Sequence, residues 1–441
     1  MASQYLSDFS TPAINGNIAR RVLANEVLRG VTQGILETNG EGVTQRFSND
    51  VSGAQIRITQ FMPFNQLARE LGSTLNGENF DGRTALQAST NGLGVDVITV
   101  INQNIDIPQV TVDMLPIDFL GNCMKNLTMD INNNINAMTI GGKVVATFNN
   151  IANGLADFEY ITKATATGDE WRQALMNMNA RLDAGDEANG IAFFPDDDRC
   201  YVLQVALIPY LLNKGVFSLG GANHAYEMLG LGGINPGKEQ DIRSGYVGEF
   251  MNSPVYKATP LIWKMAAKYT GIPVYKLYDV YGYVSSGYAN VRALAQQEQV
   301  KIIDSPDGDG VRIQPNFRMG FKALYPLGNV FLVETGYTNP ATVDAPLTLK
   351  APGSREAYSS DPSLTSVTVD GKSAVYTAET KTWAVTGVSA GEQAVTMVAT
   401  VAGKTYIQPL TVKAVSGTKT TYTINTIAED GTVGRYTLTV N

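Results

Sequence analysis

The chain has 441 residues, 44% of them hydrophobic, which is room for two or three domains with real cores. Its formal net charge is −8, from 41 acidic against 33 basic side chains. That acidic balance, with no basic tract, disfavours binding nucleic acid through its phosphates but not enclosing it. The one histidine, His224, stands in a Gly/Asn-rich stretch, which disfavours metal and general-base chemistry.

The opening residues, MASQYLSDFSTPAING, contain no basic start followed by an apolar run, so no signal peptide is expected. No run of about eighteen apolar residues is present to span a membrane. Cys123 and Cys200 are far apart in sequence and are expected to be free thiols in a reducing compartment.

Residues 15–37 read as a helix, with Ile18, Val22, Leu28, Val31 and Ile35 recurring at helical steps until Gly40-Glu41-Gly42 breaks the pattern. In residues 43–112, Ile56 and Ile58 alternate with Arg57 and Thr59. A polar stretch, STLNGENFDGRTALQASTNGLG, follows, and β-type sequence returns in VDVITVINQNIDIPQVTV. An excursion out and back with a polar tip predicts an extended hairpin, a shape too unstable to stand alone in water.

After Pro116 the apolar residues Ile117, Leu120, Met124, Leu127, Ile131, Ile135 and Met138 form a single stripe. They predict a helix over 117–139, roughly 35 Å long, ended by Gly141-Gly142. Asn122, Asn126, Asn132, Asn133 and Asn136 are assigned to its other faces. A second helix is expected over 168–183 on Trp171, Leu175, Met178 and Leu182. GIAFFPDDDRCYVLQ then reads as strand, turn, helix. Short strands and helices alternate to about residue 335, giving an α+β class without a repeating βαβ unit.

TGYTNPATVDAP (335–346) holds two prolines and no helical period, and is taken to contain the linker. Beyond it Thr and Val dominate. Turn signals recur at Asp370-Gly371, Ser389-Ala390-Gly391, Ala402-Gly403, Ser416-Gly417 and Asp430-Gly431. This predicts an all-β sandwich of about 90 residues, ending in the strand that carries Val433, Tyr436, Leu438 and Val440.

No catalytic constellation emerges: GxSxG, HExxH, a phosphate loop and paired CxxC are all missing. Asp196, Asp197 and Asp198 have the charge to hold a hard cation, but follow Pro195 as helix-capping or solvated acids do. The cluster Tyr275, Tyr278, Tyr281 and Tyr283 is read as packing rather than as a stacking platform for sugars or bases. No enzyme, cofactor or metal is expected.

The order of elements resembles the major capsid protein of tailed bacteriophages, the Hong Kong 97-like fold. The local likenesses lie in GIAFFPDDDRCYVLQVALIPYLLNKG, SGYVGEFMNSPVYKATP and FRMGFKALYPLGNVFLVETG. The resemblance implies an N-terminal arm over 1–42, an extended loop over 43–110 and peripheral and axial domains over 111–338. A linker (339–346) and an Ig-like or cadherin-like sandwich (347–441) complete the chain. It implies hexamers and pentamers of the chain itself as partners, a separate scaffolding protein, a portal, and minor or decoration capsid proteins. The place implied is the virion, assembled in a bacterial cytoplasm around double-stranded DNA, with the sandwich facing outward. No lysine precedes Lys125, so the covalent crosslink that some of these shells make through a loop lysine is not expected. Phe61, Met62, Phe64, Leu67 and Leu71 are the candidate assembly residues; they either fold onto an adjacent copy or form a short helix within the subunit. Extracellular Ig-like adhesion proteins, encapsulin-type shells and carbohydrate-active enzymes are the competing readings.

Overall fold

The computed structural model describes residues 34–37, 42–48, 55–58, 93–96, 99–101, 104–107, 119–216, 245–251, 253–295, 300–304, 310–388, 393–416 and 419–441. The described chain is α+β and divides into two compact units: residues 1–270 with 281–351, and residues 271–280 with 352–441. Among the described residues no helix is long and apolar enough to cross a membrane.

In the first unit the predicted long helix is present as α1 (Phe119–Ala152), 34 residues or about 51 Å. Met124, Leu127, Ile131, Ile135 and Met138 are buried along it, and the apolar face continues through Ile140, Val144 and Phe148. The helix does not stop at Gly141-Gly142. A Cβ on Gly142 would lie 2.0 Å from the Phe321 ring, and one on Gly141 would lie 3.2 Å from Tyr269 Cβ and 3.3 Å from the Ala266 carbonyl oxygen. These glycines are a notch that lets neighbouring elements approach the backbone, a use of glycine distinct from ending a helix.

Helix α2 (Gly168–Asp183) starts where expected because Thr167 and Glu170 form a capping box. The Glu170 amide donates to Thr167 Oγ1 at 3.3 Å, and the Thr167 amide donates to Glu170 Oε2 at 2.6 Å. Helix α3 (Leu207–Asn213) and helix α4 (Pro260–Thr270) follow in the same unit.

Among the described residues four sheets accompany these helices. A four-stranded sheet has the order β1 (Thr44–Ser48), β11 (Asn290–Ala295), β14 (Phe317–Ala323), β4 (Thr99–Ile101), with β1 parallel to β11. A three-stranded sheet, β12 (Val300–Asp304), β13 (Val311–Pro315), β5 (Ile105–Ile107), carries the same ribbon onward. Phe317 faces Ile101 and Ile313 faces Ile105, so that pair of strands keeps its register across both sheets. The predicted hairpin is represented by β2 (Gln55–Ile58) and β3 (Leu93–Asp96), antiparallel, with Gln55 opposite Asp96.

The six-stranded sheet runs β6 (Glu159–Ile161), β15 (Asn329–Glu334), β10 (Val280–Ser286), β7 (Arg199–Gln204), β9 (Ser253–Ala258), β8 (Tyr246–Phe250). The strand expected at GIAFF is not there. Asp196–Asp198 form a single 3₁₀ turn, and the strand follows it as RCYVLQ before α3 begins. Trp171, Leu175, Met178 and Leu182 of α2 bury against a core that includes Leu203, Val284 and Leu332 of this sheet. Residues 335–351 are irregular but docked: the Leu347 amide donates to Asn149 Oδ1 at 2.8 Å, and Asn339 Nδ2 donates to the Phe148 carbonyl at 2.9 Å.

The second unit has two sheets. One is β17 (Lys372–Ser373), β16 (Leu364–Val369), β20 (Val395–Ala399). The other is β18 (Val375–Thr377), β19 (Thr382–Val385), β24 (Val433–Val440), β23 (Lys419–Ala428), β21 (Thr405–Ile407), with β22 (Thr411–Ser416) also on β23. Leu364, Val367 and Val369 from the first meet Trp383, Val385, Ile424, Leu438 and Val440 from the second in one core. The strand β24 is interior: it pairs antiparallel with β23 and parallel with β19. Residues 271–280 belong to this unit, with the Val274 amide donating to the Glu429 carbonyl at 2.9 Å and Tyr358 Oη donating to the Ile272 carbonyl at 3.0 Å.

Candidate functional site: a buried ionic lock on the long helix

Residues 34–37 are the end of the helix expected over 15–37. Residues 34–37 instead follow a bent path, and Glu37 takes a left-handed φ of 59°; residues 15–33 lie outside the described residues. A bent chain cannot pair its own backbone groups, so α1 supplies partners. The Leu36 amide donates to Asn136 Oδ1 at 2.8 Å, and Asn136 Nδ2 donates to the Gly34 carbonyl at 3.2 Å. A Cβ on Gly34 would sit 2.0 Å from Asn132 Nδ2. Asn132 and Asn136, assigned from sequence to faces other than the apolar stripe, are both buried here.

Beneath this contact lies a cluster of charge. Lys143 Nζ donates to Glu37 Oε2 at 2.5 Å, to Ser285 Oγ at 2.7 Å and to the Gly42 carbonyl at 3.0 Å. The Tyr283 hydroxyl donates to Glu37 Oε1. Arg292 donates to the Glu37 carbonyl at 2.7 Å, the Leu36 carbonyl at 3.2 Å and Thr139 Oγ1 at 3.3 Å. Lys143, Arg292, Tyr283 and Glu37 are all shut away from solvent. Burial lowers the Lys143 pKa, a shift opposed by the Glu37 carboxylate, and lowers that of Arg292 to about 10. Burial, reinforced by the same carboxylate, pushes the Tyr283 phenol well above its ordinary value.

Gly42 closes the lock. Its φ is +83°, its amide donates to the Asp198 carbonyl at 2.9 Å, and a Cβ there would lie 2.2 Å from Cys200 Sγ. Asn290, paired with Asn329 by reciprocal amide bonds of 2.8 and 3.0 Å, also reaches the Gly42 carbonyl at 3.3 Å. Thr44 then enters β1 opposite Val291. A buried ion pair of this kind fixes placement more than it adds stability. Sliding the segment by one residue would leave Lys143 or Glu37 in the core without its counterion, which is far costlier than the pair is worth.

The carboxylate run has a structural use. Asp196 and Asp183 lie 2.8 and 2.7 Å from the fully buried Arg199 guanidinium, which also bonds Asn179 Oδ1 at 2.9 Å and the Phe194 carbonyl at 3.2 Å. Among the described residues no group of three or more His, Cys, Asp or Glu could hold a metal ion. Cys200 is buried beside Ser285, and burial raises the Cys123 thiol. The tyrosine cluster is split: Tyr281 and Tyr283 pack in the first unit, while Tyr275 stacks on Tyr406 at 5.3 Å in the second. Phe61, Met62, Phe64, Leu67 and Leu71, and also His224, lie outside the described residues.

No protein-family model matches the chain, and no curated protein does. Solved structures to which it is similar include the capsid of Ralstonia phage GP4, at 8% identity over 68% of this chain and 89% of that one, with a TM-score of 0.44. The mature capsid of bacteriophage PhiM1 is similar at 13% identity over 69% and 89%, TM-score 0.40. The capsid of Cyanophage P-SCSP1u is similar at 13% identity over 67% and 87%, TM-score 0.39.

Proposed function

We propose that this chain is a major capsid protein that assembles with copies of itself into the icosahedral head shell of a tailed bacteriophage. The observation that carries the reading is the buried lock, which seats the residues leading towards the β2–β3 pair on a 34-residue helix. A hairpin base held that firmly, with some 35 residues between β2 and β3, suits a part that must reach a neighbour at a defined angle. A compact enzyme has little use for it. Heterologous contacts of one patch with another close into rings of five and six, and many modest interfaces add up in a closed shell.

On this reading the shell encloses double-stranded DNA without gripping it, consistent with the net charge of −8. A scaffolding protein and a portal are its assembly partners, minor or decoration proteins can join it, and the second unit is an Ig-like module on the outer surface. Phe61, Met62, Phe64, Leu67 and Leu71 are its proposed contacts with an adjacent copy. The test is electron microscopy of the full chain expressed with and without its scaffold. Closed icosahedral particles are expected; a stable monomer under every condition would overturn the reading.

A further inference from the structure

The exposed face of α4 has charged and apolar residues in one line. Leu261 is 54% exposed, Lys264 and Met265 are half-buried, and Lys268 is exposed, while Ile262, Trp263, Ala266 and Ala267 face inward. Lys257, at the end of β9, is exposed just before them. Lys257, Lys264 and Lys268 make no ion pair among the described residues. This is a basic, partly apolar helix face in a chain whose net charge is negative.

Its complement lies elsewhere in the same unit. Phe193, 60% exposed, stands in a loop with Asp183, Glu187, Asp196 and Asp197. Arg199 neutralises only part of that charge, since it bonds Asp183 and Asp196, and Glu187 and Asp197 make no ion pair among the described residues. The buried Arg199 also holds the loop in place through the Phe194 carbonyl.

The sheet keeps the two surfaces apart. Strands β7 and β9 are parallel, with Tyr201 opposite Val255 and Gln204 opposite Ala258. The acidic loop leads into the first residue of β7, and α4 begins just after the last residue of β9. The first residues of α4, with Lys257 and Leu261, therefore lie at the opposite end of a six-residue strand pair from that loop, roughly 20 Å along the strands. A patch and its complement at opposite ends of one rigid sheet cannot satisfy each other within a molecule, but they can between molecules, head to tail.

We infer that the Phe193 loop of one copy docks on the Leu261–Lys264 face of the next, with the aromatic ring against Leu261 and Met265 and the acids against the lysines. The contact is heterologous, the kind that closes into a ring or runs on as a filament. It deepens the shell reading and rests on it for the claim that the ring closes, whereas the pairing itself rests on charge and position.

The test uses the full chain and charge reversal. Glu187→Lys with Asp197→Lys, and separately Lys257→Glu with Lys264→Glu, should each cut the yield of assembled particles at least about tenfold, because like charges then face each other. Combining all four changes should restore assembly. As a second measurement, Phe193→Cys protein mixed with Leu261→Cys protein should give a disulfide-linked pair under mild oxidation. Closed particles indifferent to both reversals would overturn this contact and leave the shell reading standing. Reversals that abolish assembly with no rescue by the fourfold swap and no Phe193–Leu261 link would overturn it too. An unmodified chain that never closes, yet shows salt-sensitive self-association lost on each reversal and regained on the swap, would retain the contact and remove the shell.

Discussion

Lys143 and Glu37 are separated by 106 positions in the chain and by 2.5 Å in space, and neither side chain meets water. Removing one of them strands the other in the core. Lys143→Met leaves the Glu37 carboxylate with the Tyr283 hydroxyl still donating to it, and is expected to cost about 3–5 kcal/mol. Adding Glu37→Gln should then cost less than it does alone, with a coupling of about 0.5–3 kcal/mol. Denaturant unfolding of the four proteins measures this, and strict additivity would mean that the two groups do not depend on each other.

Gly42 and Gly154 separate backbone strain from crowding. Both have left-handed φ, +83° and +71°, but a methyl at Gly42 would meet Cys200 Sγ at 2.2 Å whereas Gly154 has nothing within 4 Å. Gly154→Ala should cost about 1–2 kcal/mol, the left-handed penalty. Gly42→Ala should cost about 1–3 kcal/mol more, from overpacking. Equal melting midpoints would show that the segment simply yields at Cys200.

Tyr358 makes the second unit sensitive to alkali. Burial raises its pKa from 10 to about 12, with Arg355 opposing and Glu429 reinforcing the shift. A folded value above the unfolded one means the phenol's contribution is whole below pH 10 and is lost as pH climbs from 10 towards 12. Tyr358→Phe, which lacks the hydroxyl that donates to the Ile272 carbonyl, should flatten that part of the stability profile. The absorbance change of tyrosinate during an alkaline titration provides the check, and an unaltered profile in the variant would contradict it.

Truncation at Ala351 should be harmful on its own. The second unit includes residues 271–280, and Val274 and Leu277 are buried in the structure. A chain lacking 352–441 keeps those side chains but loses the residues that belong with them, at about 1.5–3 kcal/mol for each aliphatic group returned to water. Low soluble yield is expected. Replacing 271–279 with a Gly/Ser linker in the same truncation should recover it, and assembly of that shortened chain then becomes measurable. A simple truncation as soluble as the whole chain would refute this.

Local signals were readable and distant ones were not. The stripe from Met124 to Met138 announced α1 because its spacing needs no partner to interpret. The stripe Trp171, Leu175, Met178 and Leu182 announced α2 in the same way, and the structure adds the Thr167–Glu170 capping box at its start. Asp370-Gly371, Ala402-Gly403 and Asp430-Gly431 marked real turns, each with a glycine at positive φ. Gly141-Gly142 misled, because a glycine that ends a helix and one that admits Phe321 look alike until Phe321 is placed. Asn136 falls off the apolar stripe in sequence, and its burial was not legible because its partners, Gly34 and Leu36, precede it by about a hundred positions. The lock itself joins Glu37, Lys143, Tyr283 and Arg292 from four parts of the chain, and no periodicity links them.

The strap from Gly271 to Val280 has a consequence for biosynthesis. The Val274 amide waits for the carbonyl of Glu429, which the ribosome adds about 155 residues later, roughly 8–30 s at about 5–20 residues per second. Through that interval two aliphatic side chains have nowhere to go while the polypeptide around them is already folding. A nascent chain of this design is a client for a chaperone, and its vulnerable interval covers roughly the last third of translation.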